Sequence, residues 1–377
     1  MTPEEFLKEN RLDPAGIDVG EISGRIAANM KSGLDGSPVD MPMFKAYLTN
    51  DGEVPKNIQA AVIDAGGTNY RCALASFSDE GCTVSDLFTS KMPGTGNPVT
   101  WEEFIAFVAD TLMPIIDRAS VIGFCFSYSA SITPDMDAVV DTIDKEVKIT
   151  GCEGKLIAES LLSELSGRGI TGKKCVILND TVAALLGGSS SIDKSLYSDF
   201  IGMICGTGLN TCMSYNGMLI NCESGMFKEV PQGPFDIELD RESVQPGEKL
   251  LEKMCSGAYL GTLAKKALGL EGNPNGADVD RLAGEGSELE QAVCKALFER
   301  SAKLAAAIII AIMKVNSSGI DKPCCVVAEG SLIGKSRYFL PYLEKALEEN
   351  AGERRVEIVV GHDTTLPGSA AAALINT

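Results

Sequence analysis

A single histidine, His362, and a single tryptophan, Trp101, occur in 377 residues. One imidazole cannot make a multi-histidine metal site, and any Ser-His-Asp triad would have to be built on His362. Basic residues are scarce: 33 Lys and Arg stand against 52 Asp and Glu, a net charge of −19. That balance argues against a nucleic-acid backbone or an anionic membrane as the main partner. It leaves room for a small anionic ligand, which needs only a local site. No CxxC occurs among the twelve cysteines, so zinc-ribbon and thioredoxin-type chemistry lack their spacing. Residues 1–10 have no basic head followed by an apolar run, so no secretory signal is expected there. The most apolar stretch, Leu304 to Met313, lies between Lys303 and Lys314. It is too short to cross a bilayer and reads as a buried core helix.

What is present is globular in kind: 45% hydrophobic and 23% charged residues. The length suggests two domains. Cys72, Cys125, Cys175, Cys205 and the pair Cys324-Cys325 sit inside apolar, strand-like runs. They read as small buried hydrophobes, and a reducing cytoplasm is the expected location.

Residues 1–57 read as short helices and turns. The segment 58–64 is a strand, 65–69 a glycine turn, 70–77 a returning strand and 83–90 a third. A helix fits 101–118 with Thr100 as its cap, followed by a strand at 121–128, a helix at 155–166 and a buried strand at 174–178. A similar order then recurs: strand 200–205, glycine turn 206–210, strands 211–215 and 217–222. After these come helices at 247–268 and 287–315, a strand at 323–328, a helix at 337–349, a strand at 356–360 and a last helix from Ser369. Two halves with one order of elements imply a duplicated α/β domain.

Three segments could carry chemistry. In Asp64-Ala-Gly-Gly-Thr-Asn-Tyr-Arg71, two glycines let backbone N–H groups approach an anion, and Asp64 could hold magnesium through its water shell. The same residues also make an ordinary hairpin turn. Gly206-Thr-Gly-Leu-Asn210 repeats the arrangement in the second half. Together the two turns suggest two phosphate clamps facing one cleft. Asn179-Asp-Thr181 follows a strand and opens a helix. It is either a helix cap or a carboxylate at a strand's carboxyl end, where α/β ligand sites open. Gly330-Ser331 and Gly368-Ser369 each stand at an expected helix start, as caps or as backbone pressed on a ligand. By composition alone, Lys145, Glu223 and Glu252 are surface charges.

Collectively these segments resemble the hexokinase family. Ala61 to Arg71 is similar to its first phosphate motif, and Lys91 through Gly94-Thr-Gly96 to Trp101 looks like the stretch before its first long helix. Gly123 to Ser127, Asn179-Asp-Thr181, Gly206-Thr-Gly208 with Asn210, and Asn221 with Glu223 and Gly225 follow in the family's order. Pro246-Gly247, Glu252-Lys253, Tyr259-Leu-Gly261, Gly330-Ser331 and Gly368-Ser369 complete the series. The similarity runs from about residue 30 to the C-terminus. It implies a duplicated actin-like (ribonuclease H-like) α/β fold, a two-domain sugar kinase with a central cleft. The implied small domain is 58–178 plus 367–377, and the large one 1–57 plus 179–366. The implied reaction moves the γ-phosphate of MgATP to the 6-hydroxyl of an aldohexose, glucose first. In that reading Asp180 is the base, and Ser127, Lys145, Asn179, Asn210, Glu223 and Glu252 contact the sugar. ATP would meet Asp64, Gly66, Gly67, Thr68, Asn69, Arg71, Gly206, Thr207, Gly208, Gly330, Ser331, Gly368 and Ser369, with Asp64 holding Mg2+ through water. Four residues depart from the family pattern: Ser129 replaces Pro, Ser224 replaces Trp, Asp144 replaces Thr or Ser, and Glu329 replaces Asp. They leave the preferred hexose open. The competing reading is a sugar-binding regulator on the same scaffold that closes on its ligand without turnover.

Overall fold

A computed structural model describes residues 1–143 and 147–377. The chain opens with α1 (Pro3–Glu9) and α2 (Val19–Leu34), capped by the Thr2 and Asp18 side chains. The two-residue strand β1 (Phe44–Lys45) precedes the meander β2 (Gln59–Gly66), β3 (Asn69–Ser78) and β4 (Gly81–Lys91). Strand β5 (Val99–Thr100) runs into α3 (Trp101–Leu112), where Thr100 is the cap and Glu103 closes a capping box. The helix is shorter than its sequence suggests. Pro114 ends it, and 116–118 turn as a 3₁₀ helix. Next come β6 (Val121–Phe126), the hairpin β7 (Ser129–Ile132) and β8 (Ala138–Thr142), β9 (Ile149–Thr150), α4 (Ile157–Gly167), β10 (Cys175–Leu178) and α5 (Asp180–Ser189).

The second half runs β11 (Asp199–Cys205), β12 (Leu209–Tyr215), β13 (Met218–Asn221), α6 (Pro234–Glu242), α7 (Leu250–Cys255) and α8 (Gly257–Leu268). The helix expected over 247–268 is therefore two. Ser256 is extended between them, and the Gly257 N–H turns away to donate to Gly206 O at 2.6 Å. Then follow α9 (Gly276–Glu285), α10 (Glu288–Val315), β14 (Cys324–Glu329), α11 (Ser331–Lys335), α12 (Phe339–Asn350), β15 (Val356–Val360) and α13 (Thr365–Asn376). Helix α13 starts four residues before the expected Ser369. Pro367 falls in its first turn, where no backbone N–H is needed.

The described residues form two compact units. One holds 44–194, 214–221 and 361–377. Its sheet has the order β10-β6-β2-β3-β4, with β2–β3 antiparallel and β2–β6 and β6–β10 parallel. Trp101, Phe104 and Val108 of α3 and Ile157 and Leu161 of α4 pack against Ile63, Leu74, Ile122 and Phe124 of the strands. Helix α13 packs on β2 and β6 and against α5. The other unit holds 1–43, 195–213 and 222–360. There β12-β11-β14-β15 repeats the plan of β3-β2-β6-β10: an antiparallel hairpin, then two parallel strands. The duplication read from the order of elements is thus present in strand topology. Leu304–Met313 lies buried in α10, as expected of a core helix. No helix among the described residues is long and apolar enough to cross a membrane.

One tertiary cap went unread in the sequence. Helix α4 has no capping side chain at Leu156. Asp137, at the tip of the β7–β8 hairpin, instead accepts from Ala158 N at 2.6 Å and Glu159 N at 2.9 Å. Asp137→Ala is expected to cost about 1–2 kcal/mol, the usual worth of an N-cap. Urea unfolding should show a lower midpoint with an unchanged slope.

Candidate active site

In the first-sheet unit, strand register lines up the candidates. Asp64 on β2 is level with Cys125 on β6, which is level with Leu178 on β10. Asp64, Ser127 and Asn179-Asp180 therefore stand within two residues of one line, across the carboxyl ends of three neighbouring parallel strands. Cys125 reports this placement. Its buried thiol is pushed well up, first by desolvation and then by the charges of Asp64 and Asp180.

Gly66 and Asn69 pair across the β2–β3 turn, leaving Gly67 and Thr68 at its tip. Gly67 has φ +56°, a conformation that favours glycine. A Cβ on Gly66 would come within 3.0 Å of Ser127 Oγ and 3.3 Å of Asp64 Oδ1, so glycine there brings the two side chains together. The Tyr128 hydroxyl donates to Gly67 O and ties the Ser127 segment to the glycine turn. Arg71 donates to Asp64 Oδ2 from Nε at 2.9 Å and Nη2 at 2.7 Å, and from Nη1 to Asp363 Oδ1. The resemblance implies phosphate contact for Arg71 and says nothing of these two carboxylate partners.

Asn179 is indeed a cap: its Oδ1 accepts from Thr181 N at 2.9 Å. Its amide nitrogen is the part that the cap does not use. Asp180 is the first residue of α5, where negative charge is favoured by the helix dipole, and its Oδ1 accepts from the Thr181 hydroxyl at 3.3 Å. Gly368 and Ser369 lie one turn inside α13 rather than at its start. A Cβ on Gly368 would meet Ala183 O at 1.9 Å, and one on Gly123 would meet Ser369 O at 2.0 Å. The fully buried Ser369 returns its hydroxyl to Thr365 O at 2.8 Å. Both residues thus belong to the packing of α13 on α5 and β6. Lys145 and Asp144 lie outside the described residues.

In the other unit, Gly206-Thr207-Gly208 connects β11 to β12 and folds on itself through Gly206 N to Gly208 O at 2.9 Å. The Gly330-Ser331 turn presses against it. Gly330 has φ +120°, and a Cβ there would meet Cys205 O at 2.4 Å. Thr207 and Ser331 are both exposed beside this contact. Three candidate sugar residues meet next to the same turn. Leu209 N donates to Glu252 Oε2 at 3.0 Å, and Asn210 Nδ2 donates to Glu223 Oε1 at 3.3 Å. Gly225 closes the group: a Cβ there would fall 2.7 Å from Leu209 O and 3.0 Å from Glu252 Cβ. Glu223 and Lys249, the cap of α7, are left-handed at φ +50° and +53°. Such non-glycine geometry costs about 1–3 kcal/mol and tends to collect at functional sites. The carboxylates that composition would have left on the surface are instead gathered in one place.

Two family models, both described as hexokinase, match residues 4–190 and residues 200–269 with 280–375. The chain belongs to the hexokinase family. A hexokinase of Schistosoma mansoni is 28% identical over 294 residues, covering 69% of this chain. The match spans 63% of that relative's own length. The solved S. mansoni hexokinase complexed with glucose has a TM-score of 0.77 at 21% identity, with 100% of both chains covered. A hexokinase crystal structure reaches 0.85 at 20% identity over 99% of each chain. A glucokinase of the ROK family from Streptomyces griseus, in complex with glucose and AMPPNP, reaches 0.55 at 17% identity over 84% of this chain and 99% of its own. These likenesses establish the fold as the two-domain actin-like α/β fold of sugar kinases. Motif order had pointed to this family and fold, and both are borne out.

Proposed function

We propose that the protein is an ATP-dependent hexose 6-kinase, with glucose the first candidate substrate. The observation that carries this reading is the gathering of Asn210, Glu223 and Glu252 beside the Gly206–Gly208 turn. A hexose is neutral and covered with hydroxyls, so it is best held by carboxylates and amides that make paired hydrogen bonds. In this reading those three residues, with Ser127, the Asn179 amide and Lys145, bind the sugar. Asp180 takes the proton of the 6-hydroxyl as its oxygen bonds to the γ-phosphorus. The bond from that phosphorus to the bridging oxygen breaks, and ADP leaves. The chemistry needs positioning and donors to developing phosphate charge rather than a protein nucleophile.

The nucleotide would lie along Gly66–Asn69, Arg71, Gly206–Gly208 and Gly330-Ser331, with Gly368 and Ser369 supporting the α5 side through packing. Magnesium fits as part of the MgATP substrate. No group of three or more His, Cys, Asp or Glu among the described residues could cage a metal ion. Magnesium commonly keeps several waters and takes one or two carboxylates beside substrate phosphates. Asp64, with one oxygen already accepting from Arg71, suits contact through water, where magnesium would offset phosphate charge. Eleven of the twelve cysteines are buried, as small hydrophobes would be, and the cytoplasm is the compartment we propose.

The test is an ADP-release assay with MgATP and a panel of hexoses. Hexose-dependent ADP formation is expected with at least one aldohexose. Saturable sugar binding without ADP formation would favour the regulator instead. Within this reading, Glu252→Gln is expected to raise the hexose KM roughly ten- to a hundredfold with little change in the ATP KM, as for a lost buried hydroxyl contact.

A further inference from the structure

Glu252 accepts from Leu209 N and lies 4.0 Å from the Lys249 ammonium, and a chain of charged pairs lies behind it. Lys253, the next residue on α7, is 4% exposed, and its Nζ donates to Asp240 Oδ1 at 2.6 Å and to Gln245 O at 2.7 Å. Asp240 also accepts from Gly247 N at 3.0 Å. One carboxylate therefore fastens both α7 and the 243–249 loop that leads into it. Burial works against the Asp240 charge, yet Lys253 and the Gly247 N–H hold its carboxyl below the usual range.

Asp240 is itself anchored. Four residues earlier on α6, Asp236 pairs with Arg300 of α10 at 2.6 Å, both almost fully buried. Ser301, next on α10, donates to Cys255 O at the end of α7 at 2.6 Å. Successive turns of α6 thus link the central helix to α7. Lys253 and Glu252 are neighbours on a helix of six residues, so their side chains leave it in different directions. Lys253 is pulled back toward α6, while Glu252 reaches forward to Leu209 N at 3.0 Å.

We propose that Asp240 and Lys253 are positioning residues that set the Glu252 carboxylate for the hexose and thereby determine sugar affinity. The inference rests on the reading of Glu252 as a sugar contact. A buried ion pair is a weak stabiliser relative to apolar packing but a strong determinant of geometry, because each partner is costly to leave alone. Its position behind one ligand group makes the pair specific to the sugar and silent toward the nucleotide.

The test is a double-mutant cycle read by titration calorimetry with glucose, which needs no turnover. Lys253→Met is expected to weaken glucose binding by about tenfold in the wild-type background, and by less than about twofold once Glu252→Gln is present. AMPPNP affinity should stay unchanged throughout. Asp240→Asn keeps an oxygen acceptor for Lys253 while removing its counter-charge, so it serves as the second variant where Lys253→Met folds poorly, with the same pattern expected at smaller amplitude. Equal weakening in both backgrounds, or none in either, would overturn the positioning role. If wild type binds glucose but releases no ADP, the kinase reading fails while the cycle still decides this one. Wild-type protein that binds no hexose would overturn both.

Discussion

Asp180→Ala is expected to lower hexose phosphorylation by about 10²- to 10⁴-fold while hexose and nucleotide affinities stay within a small factor, the usual consequence of losing a general base. Asp180 heads α5, where its Oδ1 accepts from the neighbouring Thr181 hydroxyl. The thermal midpoint is the control, and it should move by no more than a few degrees. Turnover above about a tenth of wild type would end the proposed role, since one decade is only about 1.4 kcal/mol of barrier. Asp180→Asn should be nearly as inactive, because the amide keeps the size of the side chain and loses the proton acceptor.

The second large effect is on stability. Gly368→Ala would normally gain up to about 1 kcal/mol in a helix interior from alanine's better propensity. Here the new Cβ would lie 1.9 Å from Ala183 O, far inside contact distance, with backbone rather than a flexible side chain in the way. Gly187 faces the same seam, where a Cβ would meet Thr364 O at 2.1 Å. Helix α13 would have to move off α5, and overpacking of this kind typically costs about 1–3 kcal/mol and sometimes more. The steric cost wins, so Gly368→Ala should destabilise. Gly24→Ala on α2, where nothing lies within 4 Å of the added Cβ, should instead be neutral or stabilising by up to about 1 kcal/mol. Paired denaturation curves check the contrast. Equal shifts in the same direction would show that propensity, not packing, governs the seam. Because α5 carries Asp180, partial displacement in Gly368→Ala should also reduce turnover in the protein that remains folded.

Local features were legible in the sequence for local reasons. Apolar runs of strand length gave β2, β6, β10, β11 and β14. The glycines of 65–69 and 206–210 gave the two turns, and Thr100 gave the start of α3, because pattern, turn chemistry and capping act over a few residues. The errors came where tertiary contacts overrule them. The break at Ser256 reflects a bond from Gly257 N to a turn fifty residues away. The early start of α13 was hidden by Pro367, which reads as a breaker but is harmless in a first turn. The α4 cap comes from Asp137 on a distant hairpin. Gly187 looks like an ordinary glycine and Gly368 like a cap or a ligand contact, and only the structure reveals the backbone carbonyls against them and against Gly123. The candidate site divides in the same way. Asn179-Asp180 could be found because a cap signal followed a buried strand. The meeting of Glu223 with Asn210, and of Glu252 with Leu209, depends on left-handed turns at Glu223 and Lys249 that no local pattern announces.

The proposed phosphorylation of a hexose at its 6-hydroxyl is tested most directly by phosphorus NMR of the product formed by the wild-type protein from MgATP and glucose. The expected result is one sugar phosphate, its phosphorus coupled to the two protons on C6, appearing one-for-one with ADP and only when sugar is present. Glucose that binds saturably and stays unphosphorylated alongside intact ATP, with the other aldohexoses equally inert, would contradict it.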